Sequence, residues 1–557
     1  MMNRIHPERN TVLKRSLRQM PIAIGLISLL ALSGCGDREG SSSQAPVDED
    51  QLIESMPASD TAVDEVTWSV IEGEPATLDP TSSANLIIPN LCDNLLSLQP
   101  DFSVEPGLAT SAEWQDDTTF VIDLRDGVTF WDGSEMTPED VVYSLERNRN
   151  PESQWYSAFT LVEDIETSGD HQVTVSFTQH DADFRDAISG QAGAVMSAEF
   201  GQEQGKKLGT SDGGLMCTGP YSIDEDSWTP GRDIVTHANE DYWNGAPNVE
   251  ELKYVFVTDP STLSTALTEG DIDGAMNVSP ASRSAFEGEG AGQLLLGPST
   301  ASYSFGPTTD EGPAANPKIR QALSMTIDRD KYIDTVLNGL GEEQKTIVPP
   351  FSFNSSETAE IYQNGYDELQ APEVDIEAAK KLVEESGEDV SEPLVVAVPS
   401  GSTEFKNTAQ VIQSSAEKIG LTIEINELQP SDMGAMFYDP SAREGIDFVA
   451  TLGYLETPGV VGYPSLFMLP PDKGGVFNWS GYDNGEVNEL MHKARTAADE
   501  TEAAKAFVAA QAQFAPDQLQ VTLAGTYQLS YLNSDLTGLV TSAAVYSSPW
   551  AHHLGGK

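Results

Sequence analysis

The sequence predicts a large mixed α/β protein, and three observations carry this prediction. The run Val66–Ile71 alternates and is rich in β-branched residues, which is typical of a strand. Leu394–Val398, Val411–Ile419 and Leu421–Ile425 predict a strand, a helix and a strand, and such a βαβ unit places two parallel strands in one sheet. A chain of 557 residues with 39% hydrophobic residues is long for one core, so two or three domains are expected.

Local signals predict the other elements in chain order. Alternating, β-rich runs predict strands at Phe120–Leu124, His171–Phe177, Leu252–Val257 and Val521–Tyr531. A capping residue before a proline, or an apolar face at helical spacing, predicts helices that begin at Thr137-Pro138, Asp259-Pro260 and Asn316-Pro317 and helices at Ile376–Val383 and Val487–Ala510.

The first 35 residues have the features of a processing signal. Five basic residues precede an apolar run, Pro21–Leu32, which is shorter than the roughly 20 residues of a transmembrane helix. The run ends in Ser33, Gly34 and Cys35, which resembles the bacterial lipobox, whose cysteine thiol takes a diacylglycerol. We therefore expect residues 1–35 to be a lipoprotein signal peptide with lipid attachment at Cys35. The alternative is an ordinary signal peptide with a chance cysteine.

Residues 36–65 are polar, small and acid-rich, and they contain almost no periodic apolar residues. Such a segment buries too little surface to offset the entropy lost on ordering. We expect it to be a flexible acidic tether between the lipid and the folded body. No later run approaches the ~18 apolar residues of a membrane span, so the body is expected to be soluble.

The formal net charge of −58 excludes some classes of partner. Removing the basic leader leaves the rest of the chain more acidic still. Such a field repels nucleic acid and anionic lipid headgroups, so neither is expected as a partner. The charge does not identify a ligand, because high acidity is more often an adaptation to salt or for solubility.

Three cysteines limit the covalent and metal chemistry of the chain. If Cys35 is acylated, Cys92 and Cys217 remain, and an even pair in an exported protein favours a disulfide over two buried free thiols. No cysteine or histidine pair has the spacing of a zinc site. We expect no metal and no cofactor.

An enzyme is the main competing class. The sequence contains no Gly-x-Ser-x-Gly elbow, no His-Glu-x-x-His helix, no Walker loop and no Gly-x-Gly-x-x-Gly turn after a strand. The Gly-rich stretch Gly288–Gly292 carries an acid that would repel phosphate. We therefore expect no catalytic residues and no enzyme activity.

Short motifs in a fixed order cover the chain after the tether. They are Glu72–Pro80, Phe102–Ala109, Phe120–Val141, Thr218–Tyr221, Asn239–Trp243, Pro317–Leu323 with Ile327-Asp328-Arg329, and Asn478–Leu490. One of these motifs alone would be weak, but the ordered set is specific. It resembles the family 5 solute-binding proteins of ABC importers, a group that contains dipeptide, oligopeptide and nickel receptors.

The resemblance implies a large periplasmic-binding-protein-like fold with two lobes and an inserted extra domain. The lobes close over the ligand about a hinge, and the closed form docks on a permease. Domain I is expected at 66–91, 216–305 and 521–557, domain II at 92–215 and domain III, the second lobe, at 306–520. Cys92 and Cys217 then lie near the two crossings between domains I and II, which makes a disulfide between them more plausible.

The resemblance also implies ligand-binding residues. In peptide-binding members the loop after the first strand pairs its backbone with the peptide, and that loop here contains Ala84, Asn85 and Leu86. Peptide-binding members also carry a motif in the second lobe, in which an aspartate holds the peptide's amino terminus. The matching region of this sequence contains Tyr454 and Glu456. Glu456 is the only carboxylate there, and it could hold an ammonium group by a charge-assisted hydrogen bond.

Three aromatic residues are further candidates for the substrate-binding pocket. Trp479 and Tyr482 follow the position of a pocket aromatic in the family, and Tyr303 enters the second lobe near the hinge. Aromatic side chains supply rigid contact area for a ligand. For each of them, packing in the core or on the surface is the alternative.

The predicted function is capture of short peptides by a lipid-anchored receptor on the extracytoplasmic face of the cell membrane. The expected partners are a peptide or small-molecule ligand and ABC permease subunits with their ATPases, and the protein is expected to be a monomer. Two alternatives remain open: the same role for a nickel chelate, an oligosaccharide or another polar solute, and a surface lipoprotein without a transport role.

Overall fold

A computed structural model describes residues 47, 51–288, 290–355, 358–453 and 459–557 of the chain. The predicted signal peptide, with its lipid-attachment residue Cys35, lies outside the described residues. Most of the described chain is arranged around three β-sheets.

The strands occur both in consecutive runs and between helices. In chain order they are β1 (Val63–Ser69), β2 (Leu96–Leu98), β3 (Val104–Pro106), β4 (Ala109–Asp116), β5 (Thr119–Leu124), β6 (Val162–Gly169), β7 (Gln172–Phe177), β8 (Tyr221–Ser222), β9 (Trp228–Thr229), β10 (Asp233–Ala238), β11 (Val249–Val255), β12 (Gly274–Met276), β13 (Gly292–Gly297), β14 (Ser302–Pro307), β15 (Gly341–Glu342), β16 (Leu394–Pro399), β17 (Ile423–Leu428), β18 (Phe448–Gly453), β19 (Val521–Thr526), β20 (Gln528–Asn533), β21 (Leu536–Thr537) and β22 (Gly555–Gly556).

The helices are of ordinary length for a globular protein. They are α1 (Ile88–Leu91), α2 (Pro138–Asn148), α3 (Phe184–Ala187), α4 (Ala198–Gln204), α5 (Pro260–Glu269), α6 (Arg283–Phe286), α7 (Gly312–Ala315), α8 (Pro317–Ser324), α9 (Arg329–Val336), α10 (Ala359–Glu368), α11 (Ile376–Ser386), α12 (Thr403–Ala416), α13 (Pro430–Tyr438), α14 (Gly462–Met468), α15 (Gly485–Thr496) and α16 (Glu500–Phe514). Within the described ranges, none is both long and apolar enough to cross a bilayer.

The first sheet has the strand order β13-β20-β12-β1-β11-β10-β8, with β9 beside β10. Strand β1 is parallel to both β11 and β12, and the other pairs are antiparallel. The core beneath it contains Trp68 and Trp550, whose ring centroids lie 4.5 Å apart. The indole N–H of Trp550 donates to the carbonyl of Leu86 at 2.7 Å, which fixes the loop after β1 on this core.

The second sheet has the order β15-β19-β14-β18-β16-β17. Strands β16 and β17 are parallel and are connected through α12, so the predicted βαβ unit is confirmed. Helix α12 begins earlier than predicted because Ser402 caps it, accepting a hydrogen bond from the Phe405 amide. Strand β18 is parallel to β16 and antiparallel to β14. The mixed α/β class is therefore confirmed in both large sheets.

The third sheet is a separate antiparallel layer with the order β4-β5-β7-β6. Helix α2 packs on this layer and begins with a capping box, in which the Asp140 carboxylate accepts from the Thr137 amide at 2.8 Å. A core of its own, which includes Phe120 and Phe184, lies under the sheet. All four strands belong to the inserted segment, which we define as residues 93–216.

The chain changes between the first and second sheets at two adjacent points. Strand β13 continues into β14, and β19 continues into β20 after one residue, Tyr527. The single strand predicted at Val521–Tyr531 is therefore two strands in different sheets. Residues 302–305 and 521–526 lie in the second sheet, although the predicted boundaries assigned them to domain I. The break at Tyr527 is a single residue, and the nearby Gly525 lies inside β19, so the local sequence does not mark where one strand ends and the next begins.

The folded body begins earlier than the predicted end of the tether at Glu65. The amide of Ile53 donates to the carbonyl of Leu296, and the amide of Met56 donates to the carbonyl of Leu539, both at 2.8 Å. Strand β1 begins at Val63. This part of the prediction is wrong because backbone hydrogen bonds hold the segment and the side chains of Leu52 and Met56 pack against buried clusters of the body.

The predicted disulfide is present. Cys92 and Cys217 are bonded, with their Cα atoms 4.9 Å apart, and both residues are buried. The bond joins the two ends of the inserted segment next to the first sheet. It thus closes a loop of 125 residues at its base.

Candidate functional site

A cavity of about 90 Å³ lies where the chain changes between the two large sheets. We call the first sheet with its helices the first lobe and the second sheet with its helices the second lobe. The residues that line the cavity come from both lobes and from both connections; they are Asn277, Val278, Pro280, Ser299, Thr300, Ala301, Tyr303, Leu452, Thr526, Tyr527, Gln528, Leu529, Ala543 and Tyr546. We call this space the hinge cavity. A ligand in it would contact both lobes at once.

On the first-lobe side, Asn277 organises the polar wall of the hinge cavity. Its Nδ2 donates to Glu72 Oε1 at 2.6 Å and to the Tyr546 hydroxyl at 2.7 Å, and its Oδ1 accepts from Gln528 Nε2 at 3.0 Å. Asn277 has φ +56°, a left-handed conformation that asparagine tolerates better than most residues. This conformation directly follows β12 and lets the side chain reach all three partners.

On the second-lobe side, Tyr303 of β14 forms the aromatic wall. It is buried, and its ring centroid lies 5.5 Å from that of Phe405 and 6.4 Å from that of Tyr332. Burial raises the pKa of Tyr303 well above its ordinary value, and the nearby Tyr332 and the negative charge of Glu404 act in the same direction. The hydroxyl is therefore neutral at physiological pH and can serve as a hydrogen-bonding group.

The lobes touch each other beside the cavity. The hydroxyl of Ser279 in the first lobe donates to the carboxylate of Glu404 in α12. Farther out, Arg283 Nη1 donates to the carbonyl of Asn338 at 2.8 Å, and Asn338 Nδ2 donates to the carbonyl of Pro280 at 3.2 Å. These contacts join the lobes in the arrangement of the structure, and a hinge rotation would break them.

The inserted segment also contacts the second lobe, through a buried ion pair. Arg495, at the end of α15, donates from Nε to Asp181 Oδ1 at 3.2 Å and from Nη2 to Asp181 Oδ2 at 2.9 Å. Its side chain is 8% exposed and that of Asp181 is 1% exposed. Nη2 also donates to the carbonyl of Ser157, and the amide of Ala182 donates to the carbonyl of Arg495. The guanidinium and the carboxylate are thus desolvated together.

A second carboxylate of the inserted segment, Asp183, lies beside this pair without a cation of its own. The Asp183 carboxylate lies close to the backbone of Gly459 and Gly462 in the second lobe. A Cβ atom added to Gly459 would lie 3.1 Å from its Oδ1, and one added to Gly462 would lie 3.7 Å from its Oδ2. Its Oδ2 is buried and has no hydrogen-bond partner among the residues that the structure describes. Burial raises the pKa of Asp183 to about 8, and the charges of Asp181 and Asp186 add to this effect, while the neighbouring guanidinium opposes it.

The pKa of Asp183 predicts how stability depends on pH. Between about pH 4 and 8 the folded protein binds a proton here that the unfolded chain releases, so this contribution to stability is lost as the pH rises through 8. We expect Asp183→Asn to gain stability relative to the wild type as the pH rises from 5 to 8, by up to about 1.4 kcal/mol per pH unit.

Urea unfolding at pH 5, 6, 7 and 8 measures this difference. Asp170→Asn, which removes an exposed acid from the turn between β6 and β7, is the matched control and should give a curve parallel to that of the wild type. Parallel curves for Asp183→Asn as well would contradict the raised pKa.

The predicted loop Ala84–Leu86 supports the hinge cavity from behind but does not line it. Asn85 Oδ1 accepts from the amides of Ile87 and Ile88 at 3.0 and 3.2 Å, which fixes the chain just before α1. Gln191 Nε2 donates to the carbonyls of both Asn85 and Tyr546, so this glutamine ties the loop to a residue of the cavity wall. Leu86 is buried in the first-lobe core.

The structure does not bring Trp479 and Tyr482 to the hinge cavity. Trp479 lines an open pocket of about 880 Å³ with Thr308 and Asp447, which we call the outer pocket. Ser302 and Gly453 pair at the hinge end of β14, whereas the outer pocket lies beyond its other end. Six residues of strand separate the two ends by roughly 20 Å.

Trp479, in the outer pocket, and Tyr482, which lines neither cavity, have structural contacts of their own. The Trp479 ring packs on Phe437 and lies 4.5 Å from the guanidinium carbon of Arg443. The Tyr482 hydroxyl donates to Asp517 Oδ2 at 3.1 Å. Tyr303 is thus the predicted aromatic residue that does line the hinge cavity. Tyr454 and Glu456 lie outside the described residues.

Several residues around the cavity were not identified from the sequence. Asn277, Gln528 and Tyr546 come from distant parts of the chain, and no local pattern connects them. Glu404 lies in a Ser-Thr-Glu run that predicts only the start of a helix. No group of three or more histidine, cysteine, aspartate or glutamate side chains able to hold a metal occurs among the residues placed by the structure.

Known proteins resemble this chain in sequence and in fold. The model of the family described as "Bacterial extracellular solute-binding proteins, family 5 Middle" matches residues 103–473. The chain is 25% identical over 487 residues to Heme-binding protein A of Haemophilus influenzae, covering 82% of this chain and 85% of that protein. It is 23% identical over 526 residues to the oligopeptide-binding protein AppA of Bacillus subtilis, covering 91% of this chain and 92% of that protein.

A solved structure shows the same fold. The dipeptide-binding protein of a Pseudoalteromonas species, in complex with Met-Leu, superposes with a TM-score of 0.76 at 20% identity, covering 88% of this chain and all of that one. This similarity covers both lobes and the inserted segment, and the family match covers most of the chain. The protein therefore belongs to family 5 of the bacterial extracellular solute-binding proteins.

Proposed function

We propose that this protein is the substrate-binding lipoprotein of an ABC importer and captures short peptides by closing its lobes over them. The observation that carries the proposal is the hinge cavity, which both lobes line at the two points where the chain crosses between them. Membership of a solute-binding family supports the same role. Relatives named for oligopeptide and dipeptide binding support peptides as the cargo.

The size of the hinge cavity indicates that the lobes must open to admit a ligand. Pockets for small ligands measure about 300–1,000 Å³, which is several times the 90 Å³ of this cavity. The contact between Ser279 and Glu404 closes the space beside it. Rotation about the two connections would separate these residues and widen the site.

The proposed protein works at the outer face of the cell membrane together with the other importer subunits. A diacylglycerol on Cys35 would hold the protein at the extracytoplasmic face of the cell membrane, within reach of permease subunits and their ATPases. We infer a monomer that binds neither nucleic acid nor, apart from the lipid, the membrane. The first lobe would comprise domains I and II, with domain II in the inserted segment, and the second lobe would be domain III. No catalytic role is proposed for any residue.

A non-peptide solute is the second candidate cargo. Heme-binding protein A is similar over 82% of this chain, so the family relationship alone does not select peptides. A nickel chelate, an oligosaccharide or another polar solute would use the same two-lobed closure. A surface lipoprotein without a transport role is the least supported reading, because the hinge cavity would then have no purpose.

Ligand binding tests the proposed function. Native mass spectrometry of the purified full chain should detect a retained solute, and pools of di- to pentapeptides should raise the melting temperature. A ligand at 100 times its Kd adds about 2.7 kcal/mol to stability. A shift with a metal chelate or a sugar, and with no peptide, would contradict the peptide assignment but leave the transport role.

Two variants that each lack one tyrosine hydroxyl group test whether the ligand binds at the hinge cavity. Tyr546→Phe removes a hydroxyl of the hinge cavity, and we expect it to weaken binding by about 1 kcal/mol, roughly fivefold. Tyr482→Phe removes the same atom near the outer pocket and should leave the affinity unchanged. An unchanged affinity for Tyr546→Phe would contradict a binding site at the hinge cavity.

A further inference from the structure

The Asp183 carboxyl group lies at a contact that depends on how the two lobes are arranged. It belongs to the inserted segment, and it is buried against Gly459 and Gly462 of the second lobe. Val461, between these glycines, packs in one buried cluster with Met491 of α15, so this backbone is part of the second lobe. The carboxyl group and the surface that covers it therefore belong to different parts of the molecule.

The inserted segment is fixed to the first lobe. Its two ends are joined by the disulfide next to the first sheet. Trp155 Nε1 donates to the carbonyl of Pro80 at 2.7 Å, and Asn94 Nδ2 donates to the carbonyl of Ser547 at 2.8 Å. A rotation that separates the lobes would carry the segment with the first lobe and would expose Asp183 to water.

The surroundings of Asp183 supply too little positive charge for its carboxylate. The nearest guanidinium, that of Arg495, donates from Nε and Nη2 to Asp181. Asp186 lies on the same segment, and burial raises its pKa to about 6. The groups that act on these acids are Asp181 and Arg185 of the inserted segment, Tyr362 of α10, Arg495 of α15 and Glu500 of α16. Among the described residues, no lysine, arginine or histidine forms an ion pair with Asp183.

The arrangement of the lobes determines whether Asp183 holds a proton. In the arrangement of the structure, which we call the closed form, burial raises its pKa from 3.8 to about 8. Burial is the largest cause of this rise, so in the open form the pKa would fall back toward its ordinary value. Between about pH 4 and 8 the closed form therefore binds a proton that the open form releases.

We propose that Asp183 couples closure of the lobes to a proton, so that the lobes close more readily in acid than in alkaline surroundings. The inference rests on the proposed function and adds a regulation of the same closure. As the pH rises toward 8, the ratio of closed to open form should fall by up to about tenfold per pH unit. The physical cause is that an ionised Asp183 would place a second negative charge beside Asp181 in a desolvated contact.

Hydrogen exchange at the Ala182 amide measures how often this contact opens. The amide donates to the carbonyl of Arg495 at 2.7 Å, so it is protected while the inserted segment touches the second lobe. The full chain without ligand would be compared with Asp183→Asn at pH 5, 6, 7 and 8. The ratio of the wild-type rate to the variant rate cancels the intrinsic pH dependence of exchange. We expect this ratio to rise by up to about tenfold per pH unit, and a constant ratio would overturn the inference.

Small-angle scattering distinguishes movement of the lobes from a local change. The radius of gyration of the wild type should increase from pH 5 to 8, and that of Asp183→Asn should increase less. Asp170→Asn, which removes an exposed acid of the inserted segment, should follow the wild type in both measurements. A rising exchange ratio without a larger radius of gyration would show local opening and would overturn the inference. Neither measurement uses a ligand, so this failure would leave the proposed function standing.

Discussion

Arg495→Ala should lower the free energy of unfolding by about 3–5 kcal/mol, since it leaves a buried carboxylate without its cation. Asp181 is 1% exposed, and both of its oxygens accept from Arg495. The truncation also removes the donor to the Ser157 carbonyl. Because little of this environment can be solvated without moving the inserted segment, the loss should exceed that of an ordinary surface ion pair.

The same helix provides the control. Lys493 pairs with Glu502 at 2.8 Å, but the two side chains are 54% and 52% exposed. Lys493→Ala should therefore cost no more than about 1 kcal/mol. Urea unfolding at pH 7 compares the two variants. Equal losses would show that burial does not determine the contribution of Arg495.

A double variant separates the ion pair from the unpaired charge. Arg495→Met combined with Asp181→Ala removes both charges, and we expect it to recover part of the stability lost in Arg495→Ala. If the double variant is less stable than the wild type, the pair contributes more than its desolvation costs. The single variants Arg495→Met and Asp181→Ala complete the cycle, which then gives the coupling energy between the two residues.

The pair also has a consequence for lobe movement. Asp181 belongs to the inserted segment and Arg495 to the second lobe, so rotation about the hinge would separate them. Loss of the pair should shift the equilibrium toward the open form. Small-angle scattering should therefore give a larger radius of gyration for folded Arg495→Ala than for the wild type.

Elements with strong local signals could be predicted from the sequence. Asp259 accepts from the amide of Thr262 and Pro260 occupies the first position of α5, as the Asp-Pro signal indicates. The strand at Phe120–Leu124 and the helix from Ile376 were likewise predicted closely. These elements depend on periodicity and capping within a few residues, which a single sequence records directly.

The candidate site could be predicted only in part, because it depends on contacts between distant segments. Ser279 and Glu404 are 125 residues apart, and Asn277 and Tyr546 are 269 apart. No spacing rule connects such residues. The change of sheet at Tyr527 is hidden for a related reason, because β19 and β20 are buried on both sides of a break of one residue, and no change in local pattern separates them.

The disulfide between Cys92 and Cys217 also joins segments that are distant in the sequence. Replacing Cys92 and Cys217 together by alanine should lower the free energy of unfolding by about 3–5 kcal/mol, since the bond closes a loop of 125 residues in the unfolded chain. The folded geometry does not require the bond to bring the ends together. A Cβ on Gly219 would lie only 2.3 Å from the Leu91 carbonyl, so the two segments already touch through their backbones.

Reductant provides an internal control for this prediction. Dithiothreitol should move the wild-type urea midpoint to that of the double alanine variant and should leave the variant's own midpoint unchanged. Equal midpoints for the two proteins without reductant would contradict a stabilising bond. Since both ends of the inserted segment meet at Cys92 and Cys217, the reduced protein should also unfold this segment at a lower urea concentration than the two lobes. Proteolysis between residues 93 and 216 would then precede cleavage elsewhere, because the stability of the segment depends on the closure of its base.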